Sequence, residues 1–276
     1  MLAIYHYWDS LNSIEIRERL AKTKEVGFDA VCLLRDAIPE KDAGKVYRTY
    51  ADLVRNAGLK VADGHAPFIR DWNLVDSLWS DNLNGEMTYG IYLGAIDEAV
   101  QDGVGTLIFH IYHGNAPPTN EIGLNRMRHL VGVAEETGVT IAVENTSSAD
   151  YLSYVFDNID SPNLRFCYDT GHNHCNEPKI DLLEMFGSRL GALHLHDNNG
   201  NDDDHLIPFE GSINWKKIMA KIAATNYAGP TTIESTIATI SMTAPRDSRS
   251  TEEWLRDAYN SAKRLDDMRA AASLTE

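Results

Sequence analysis

Four side chains sit where short apolar runs end: Glu144 in TIAVENT, Asp169 in RFCYDTGH, His194 in GALHLHD and Glu234 in TTIEST. The intervals between them are 25, 25 and 40 residues, each able to hold one strand, one helix and their loops. Parallel strands joined by helices all end on the same side of a sheet, so four strand-final side chains can converge on one point. Three carboxylates and an imidazole supply the oxygen and nitrogen donors of a divalent-metal site. Mn2+, Zn2+, Mg2+ and Co2+ are all compatible with that donor set. Taken singly, a strand-final Asp or Glu more often caps the next helix. Four in consecutive units are hard to explain that way.

A divalent ion that holds the carbonyl and adjacent hydroxyl oxygens of an α-hydroxy carbonyl compound acidifies the C–H between them and stabilises an enediolate. A carboxylate within reach of that proton acts as the base. Glu144 and Glu234, on different strands, could address opposite faces of a substrate. Removal by one and return by the other gives epimerisation, and return to the neighbouring carbon gives aldose–ketose isomerisation. A dehydratase or lyase acting on a hydroxy acid shares the first step and stays open. A barrel that only senses a sugar or a metal would leave one of the two glutamates dispensable, and the presence of both argues against it.

The histidines reinforce the location. Of ten, His6, His65, His110 and His194 fall at or near strand ends, and His196 lies just beyond. His113, His172, His174 and His205 are expected in the loops that follow, and only His129 on a helix. His65, His110 and His205 could bind a metal or hydrogen-bond a substrate. Asp203, in the acidic run Asp202–Asp204, is a ligand only if His205 is one. Tyr5, His6 and Trp8 end the first strand and could shape a sugar pocket or pack the barrel mouth. Arg246 and Arg249 follow the last strand, where barrels of this kind often bind phosphate, so a sugar phosphate is admissible.

The elements that must position these residues alternate in a regular way. Strands are expected at Leu2–Tyr7, Asp29–Leu34, Lys60–His65, Thr106–His110, Thr140–Glu144, Arg165–Asp169, Ala192–His196 and Thr231–Glu234. Helical patterns fall roughly at 13–26, 40–57, 84–102, 119–137, 149–159, 179–187, 214–225 and 251–272. The strands are near-continuous apolar runs, as expected of a parallel sheet covered by helices. A doubly wound open sheet is the competing arrangement. Eight βα units without a linker favour a single (β/α)8 barrel over residues 1–276, the natural one-domain fold at this length. Insertions at about 67–84, with Trp72, Leu78 and Trp79, and at about 196–214 follow strand ends. The first could be a lid, a contact between copies, or packing on the barrel.

The composition is that of a globular protein, 43% hydrophobic and 24% charged. A net charge of −16 disfavours a nucleic-acid partner. Three cysteines are too few and odd in number for a disulfide framework, which favours a reducing compartment. Cys32 and Cys167 read as small buried hydrophobes and Cys175 as a loop residue. With no signal-like N-terminus and no stretch of transmembrane length, the expectation is a cytoplasmic protein without a membrane partner.

At VENT, DTGH, HLHD and the final IES the chain resembles the xylose isomerase-like barrel superfamily, which includes sugar-phosphate isomerases and epimerases and endonuclease IV. The resemblance covers the whole chain in architecture. It implies that Glu144, Asp169, His194 and Glu234 hold one Mn2+ or similar ion, and that His172 binds substrate oxygen, as in the sugar epimerases. Endonuclease IV holds three zinc ions with five more ligands, and His65, His110, His172, Asp203 and His205 match them. This chain departs from that enzyme at Gly171, where it has cysteine, and at His196, where it has asparagine. The leading expectation is a metal-dependent sugar or sugar-phosphate isomerase or epimerase, and the enzymatic alternative is a trinuclear-zinc phosphodiesterase. Rim loops rich in Asp, Asn, Trp and Ser favour the small substrate over a duplex. A homo-oligomer joined through the Trp72–Trp79 segment is a further expectation.

Overall fold

The apolar runs pair side by side into one parallel sheet that curls until its edges meet. A computed structural model describes residues 1–9, 14–34, 46–67, 72–237 and 247–274. In chain order the elements are β1 (Leu2–Tyr5), α1 (Ile16–Val26), β2 (Ala30–Leu34), α2 (Val46–Asn56), β3 (Lys60–His65), α3 (Trp72–Asp76) and α4 (Leu83–Asp102). There follow β4 (Thr106–Phe109), α5 (Glu121–Thr137), β5 (Thr140–Glu144), α6 (Ala149–Asn158), β6 (Leu164–Asp169), α7 (Thr170–Asn176) and α8 (Leu182–Phe186). The chain closes with β7 (Leu190–His194), α9 (Trp215–Ala223), β8 (Thr231–Ile233) and α10 (Thr251–Ser273). The sheet runs β7-β6-β5-β4-β3-β2-β1-β8. It closes where Leu195 bridges Ile233: the Leu195 N–H donates to the Thr232 carbonyl at 3.0 Å, and the Glu234 N–H to the Leu195 carbonyl at 3.1 Å. The fold is a (β/α)8 barrel, and the open-sheet alternative falls.

Side chains on a strand alternate between faces, so every second residue enters the barrel. The inner layer is small: Tyr5, Cys32, Ile108, Ala142, Cys167 and Ala192. Ala142, Cys167 and Ala192 each stand two residues before a candidate ligand (Glu144, Asp169, His194), so the same parity carries those ligands into the mouth. Two irregularities preserve it. A register shift between Val31 and Cys32 pairs Cys32 with Asp63, and one between Phe166 and Cys167 pairs Asp169 with His194. The larger core lies outside the sheet, between strands and helices. Gly103 and Gly138 end α4 and α5 at φ 65° and 75°, the left-handed stop that turns the chain into the next strand.

Several expectations need correction. Residues 170–176, expected as loop, form α7, so His172, His174 and Cys175 are helical alongside His129. Asp169 caps that helix through its own carboxylate, which accepts the His172 N–H, and so converts a strand end directly into a helix start. The 67–84 segment contains α3 and a 3-10 turn at Ser77–Trp79. Leu78 and Trp79 are buried there, and the Trp79 indole donates to the Ile111 carbonyl at 2.6 Å. They pack on their own barrel. Residues 40–45, 68–71, Arg246 and the Trp72 side chain lie outside the described residues. All three cysteines are free. Among the described residues no helix is long and apolar enough to cross a membrane.

Candidate metal centre

The ends of β5, β6 and β7 and the residue after β8 bring Glu144, Asp169, His194 and Glu234 together, with one ligand atom from each within 4.8 Å of all the others. His194 Nδ1 lies 2.9 Å from Glu234 Oε2 and 3.1 Å from Glu144 Oε2. Yet Glu144 Oε1, Glu234 Oε2 and both ring nitrogens of His194 are buried without an aligned hydrogen bond to any described residue. Buried polar atoms left in that condition are costly unless something else satisfies them. Three carboxylates around one imidazole would repel one another in a dry pocket, and a divalent cation removes both penalties. The donor set therefore fits such an ion.

A family model for the xylose isomerase-like TIM barrel matches residues 20–258. The chain belongs to that family. An uncharacterized protein of Sinorhizobium fredii is 38% identical over 144 residues, 50% of this chain and 44% of its own length. A fructoselysine 3-epimerase of Shigella flexneri is 28% identical over 165 residues, 55% of this chain and 59% of its own length. The chain thus spans about half the length of the curated relatives it matches. The solved structure of an L-ribulose 3-epimerase superposes with a TM-score of 0.76 at 17% identity, covering 100% of this chain and 97% of that one, which shows the shared fold.

In this family member two further clusters flank the four strand-end ligands. His65 and His110 point their Nε2 atoms at Glu144 Oε2 from 3.3 and 3.1 Å, and at each other across 3.3 Å. On the other side Asp203 Oδ2 stands 3.0 Å from His205 Nε2 and 3.3 Å from His172 Nε2. Three of these imidazoles have their tautomer set by the backbone. Nδ1 of His65 donates to the Ala66 carbonyl at 2.7 Å, Nδ1 of His172 to the Asn145 carbonyl at 2.9 Å, and Nδ1 of His205 to the Glu234 carbonyl at 2.8 Å. Each then turns Nε2 toward a carboxylate, and with Nδ1 committed to the backbone Nε2 is the nitrogen left to bind a metal once any proton on it is displaced.

The charges answer one another. Burial alone would push the Glu144 carboxyl up, but the imidazoles of His194 and His110 hold it well below the usual carboxylate range. Burial opposes ionisation of Asp169 as well, and His172 and His196 bring it down to about 2. Burial works against protonation of His205, which Asp203 outweighs, raising it to about 10. His172 is likewise pushed well above its ordinary value: burial lowers it, and Asp169 and Asp203 more than compensate. His110 goes the other way, to about 4, because burial outweighs the attraction of Glu144.

His6 and Trp8 are not brought to the centre. Strand parity sends Tyr5 inward, edge-on to His65 and His194 at ring separations of 6.3 and 5.4 Å, and turns His6 outward. His6 Nδ1 lies 3.1 Å from the Cys32 carbonyl, and burial drives its pKa down to about 3. Trp8 is fully buried, stacks on Trp254 of α10 at 5.9 Å and donates to Thr23 Oγ1 on α1. It is a core residue. Arg249 is held by Asp247, Glu210 and Asp257.

Residues that sequence reasoning passed over hold the centre in place. Asn145 clasps the end of β6, donating to the Asp169 carbonyl at 2.9 Å and accepting its N–H at 2.8 Å. Asp197, fully buried, accepts from the backbone of Phe209 and Ile213 and from the Trp215 indole, at 2.9, 3.1 and 2.7 Å. It gathers the whole 196–214 loop that carries Asp203 and His205. His205 itself sits at φ 51° and Phe209 at φ 80°, backbone strain of about 1 kcal/mol or more each that the loop's hydrogen bonds must offset. The signal was present in the acidic residue directly after HLH, but its donors lie 12 to 18 positions away.

Proposed function

We propose that the protein is a divalent-metal-dependent sugar isomerase or epimerase. The observation that carries the reading is the convergence of Glu144, Asp169, His194 and Glu234, with buried atoms of Glu144, His194 and Glu234 left without an aligned hydrogen bond to any described residue. A divalent cation held by these four, Mn2+ or Zn2+ by donor type, supplies the Lewis acidity that lowers the pKa of a C–H beside a carbonyl. Glu144 and Glu234 both reach the same side of His194 and serve as the proton acceptor and donor on carbon. Glu144 is held in the ionised form that a base requires. His172, positively charged at neutral pH, orients a substrate oxygen. The likeness to a fructoselysine 3-epimerase supports a sugar as the substrate class. With Arg249 committed to carboxylates, the proposed substrate is a ketose or aldose, free or phosphorylated. Free, buried Cys32 and Cys167 agree with a cytoplasmic setting.

A second reading rests on the tautomer-fixed histidines. His65 with His110, and His172 with Asp203 and His205, would hold two more ions beside the first, giving a trinuclear-zinc phosphodiesterase. One experiment separates the two. The metal-loaded protein is incubated in D2O with a panel of ketoses and aldoses, and in parallel with a phosphodiester. Deuterium entering the carbon next to the carbonyl supports the isomerase or epimerase. Phosphodiester cleavage with no deuterium on any sugar would replace it with the second reading.

A further inference from the structure

Two residues of DTGH and HLHD lie closer together than two ordinary side chains allow. A Cβ placed on Gly171 would fall 1.9 Å from Cε1 of His196 and 2.4 and 2.6 Å from its ring nitrogens. These are its three nearest atoms and all belong to one imidazole, so the volume taken at 196 is volume given up at 171. His196 is fully buried. Its ring lies parallel to that of His205, 4.0 Å away and 1° from coplanar orientation, which fixes its plane. Thr170 fixes its backbone, with Oγ1 donating to the His196 carbonyl at 2.9 Å and accepting the His196 N–H at 3.2 Å. Held in this way, Nε2 stands 3.1 Å from both oxygens of Asp169.

We infer that His196 is a positioning residue for Asp169, and that Gly171 exists to make room for it. The inference rests on the reading of Asp169 as a metal ligand given above. A carboxylate on a strand end can rotate about two bonds, so the orientation that brings an oxygen to Glu144, His194 and Glu234 must be held by its neighbours. The Asp169 carboxylate has two anchors: the His172 N–H, 2.6 Å from Oδ1, and the Nε2–H of His196, centred on the carboxylate. His196 also lies 3.6 Å from Asp203 Oδ1 and so spans the strand-borne and loop-borne acids. Groups that orient a ligating carboxylate in this way govern ion affinity without touching the ion.

The test is the Mn2+ dissociation constant of the full chain, metal-depleted and titrated while free Mn2+ is followed by electron paramagnetic resonance. His196→Ala should weaken binding about 10–100-fold, the range for loss of an outer-shell partner. His196→Gln keeps an N–H donor near the position of Nε2 and should recover to within about threefold of wild type. Gly171→Ala should weaken binding about tenfold in the wild-type background and by less than about twofold in the His196→Ala background, because the clash is then gone. Wild-type affinity in His196→Ala, or a glutamine variant as weak as the alanine one, would overturn the positioning role while leaving the metal site standing. If wild type itself binds no Mn2+, the metal reading falls and this inference falls with it. Should His196→Ala not fold, the glutamine variant and Gly171→Ala decide the matter alone.

Discussion

The strand-end set and the loop-borne set are built by different means. Glu144, Asp169 and His194 end strands, and their directions follow from the pleat and from register pairs such as Asp169 with His194. Asp203 and His205 stand on a loop whose shape depends on one buried carboxylate, Asp197, and on two residues at positive φ. Strand-borne ligands inherit the rigidity of the barrel, whereas loop-borne ones must be held by interactions of their own. The strand set can therefore persist when the loop set is disturbed. That asymmetry favours one essential ion at the strand ends, with the loop adding affinity, specificity or further ions.

The comparison can be broken at its stronger side first. Glu234→Gln and Glu144→Gln should each lower deuterium exchange into the substrate by about 10^2 to 10^4-fold, the usual contribution of a positioned acid or base. Loss below tenfold in both would mean that neither handles the proton. Asp197→Ala then probes the weaker side. It strands buried donors at Phe209, Ile213 and Trp215, at about 1–3 kcal/mol each, so denaturant unfolding should show a loss of about 3 kcal/mol or more. The surviving fold should still hold an ion at the strand ends, and loss of all metal would erase the distinction drawn between the two sets.

Protons give a finer reading. His194, raised above its ordinary value by Cys167, Glu234 and Glu144 against the effect of burial, carries a proton at pH 7 in the metal-free protein. An ion at the strand ends must displace it, so binding should release about one proton and weaken as pH falls. Filling the loop set as well would displace the protons of His172 and His205, for about three in all. Calorimetry in buffers of different ionisation enthalpy counts them. The smallest effect is expected at Trp8→Phe, which removes one buried hydrogen bond and some volume. A loss of about 1–2 kcal/mol in stability with unchanged KM would agree with its core position, and a raised KM would return it to the substrate pocket.

The order of strands and the convergence of the four strand-end side chains were legible in the sequence because both follow from local periodicity. What failed was face, not place. His6 and Trp8 were put at the right end of the barrel, but alternation from the inward Tyr5 turns them away from the mouth. The helix at Thr170–Asn176 escaped notice because it begins on a ligand, with Asp169 doubling as its cap. His196 and Asp197 could not be read because their roles depend on partners brought near only by folding: Gly171 and Asp169 on β6 and α7, and the far end of the 196–214 loop.

The most direct test of the central claim is the ion content of each chain, measured by elemental mass spectrometry on protein purified without chelator and then loaded and desalted. The expected result is about one divalent ion per chain, lost on His194→Ala. Wild-type protein that retains no divalent ion, or a His194→Ala variant that retains it in full, would contradict the account.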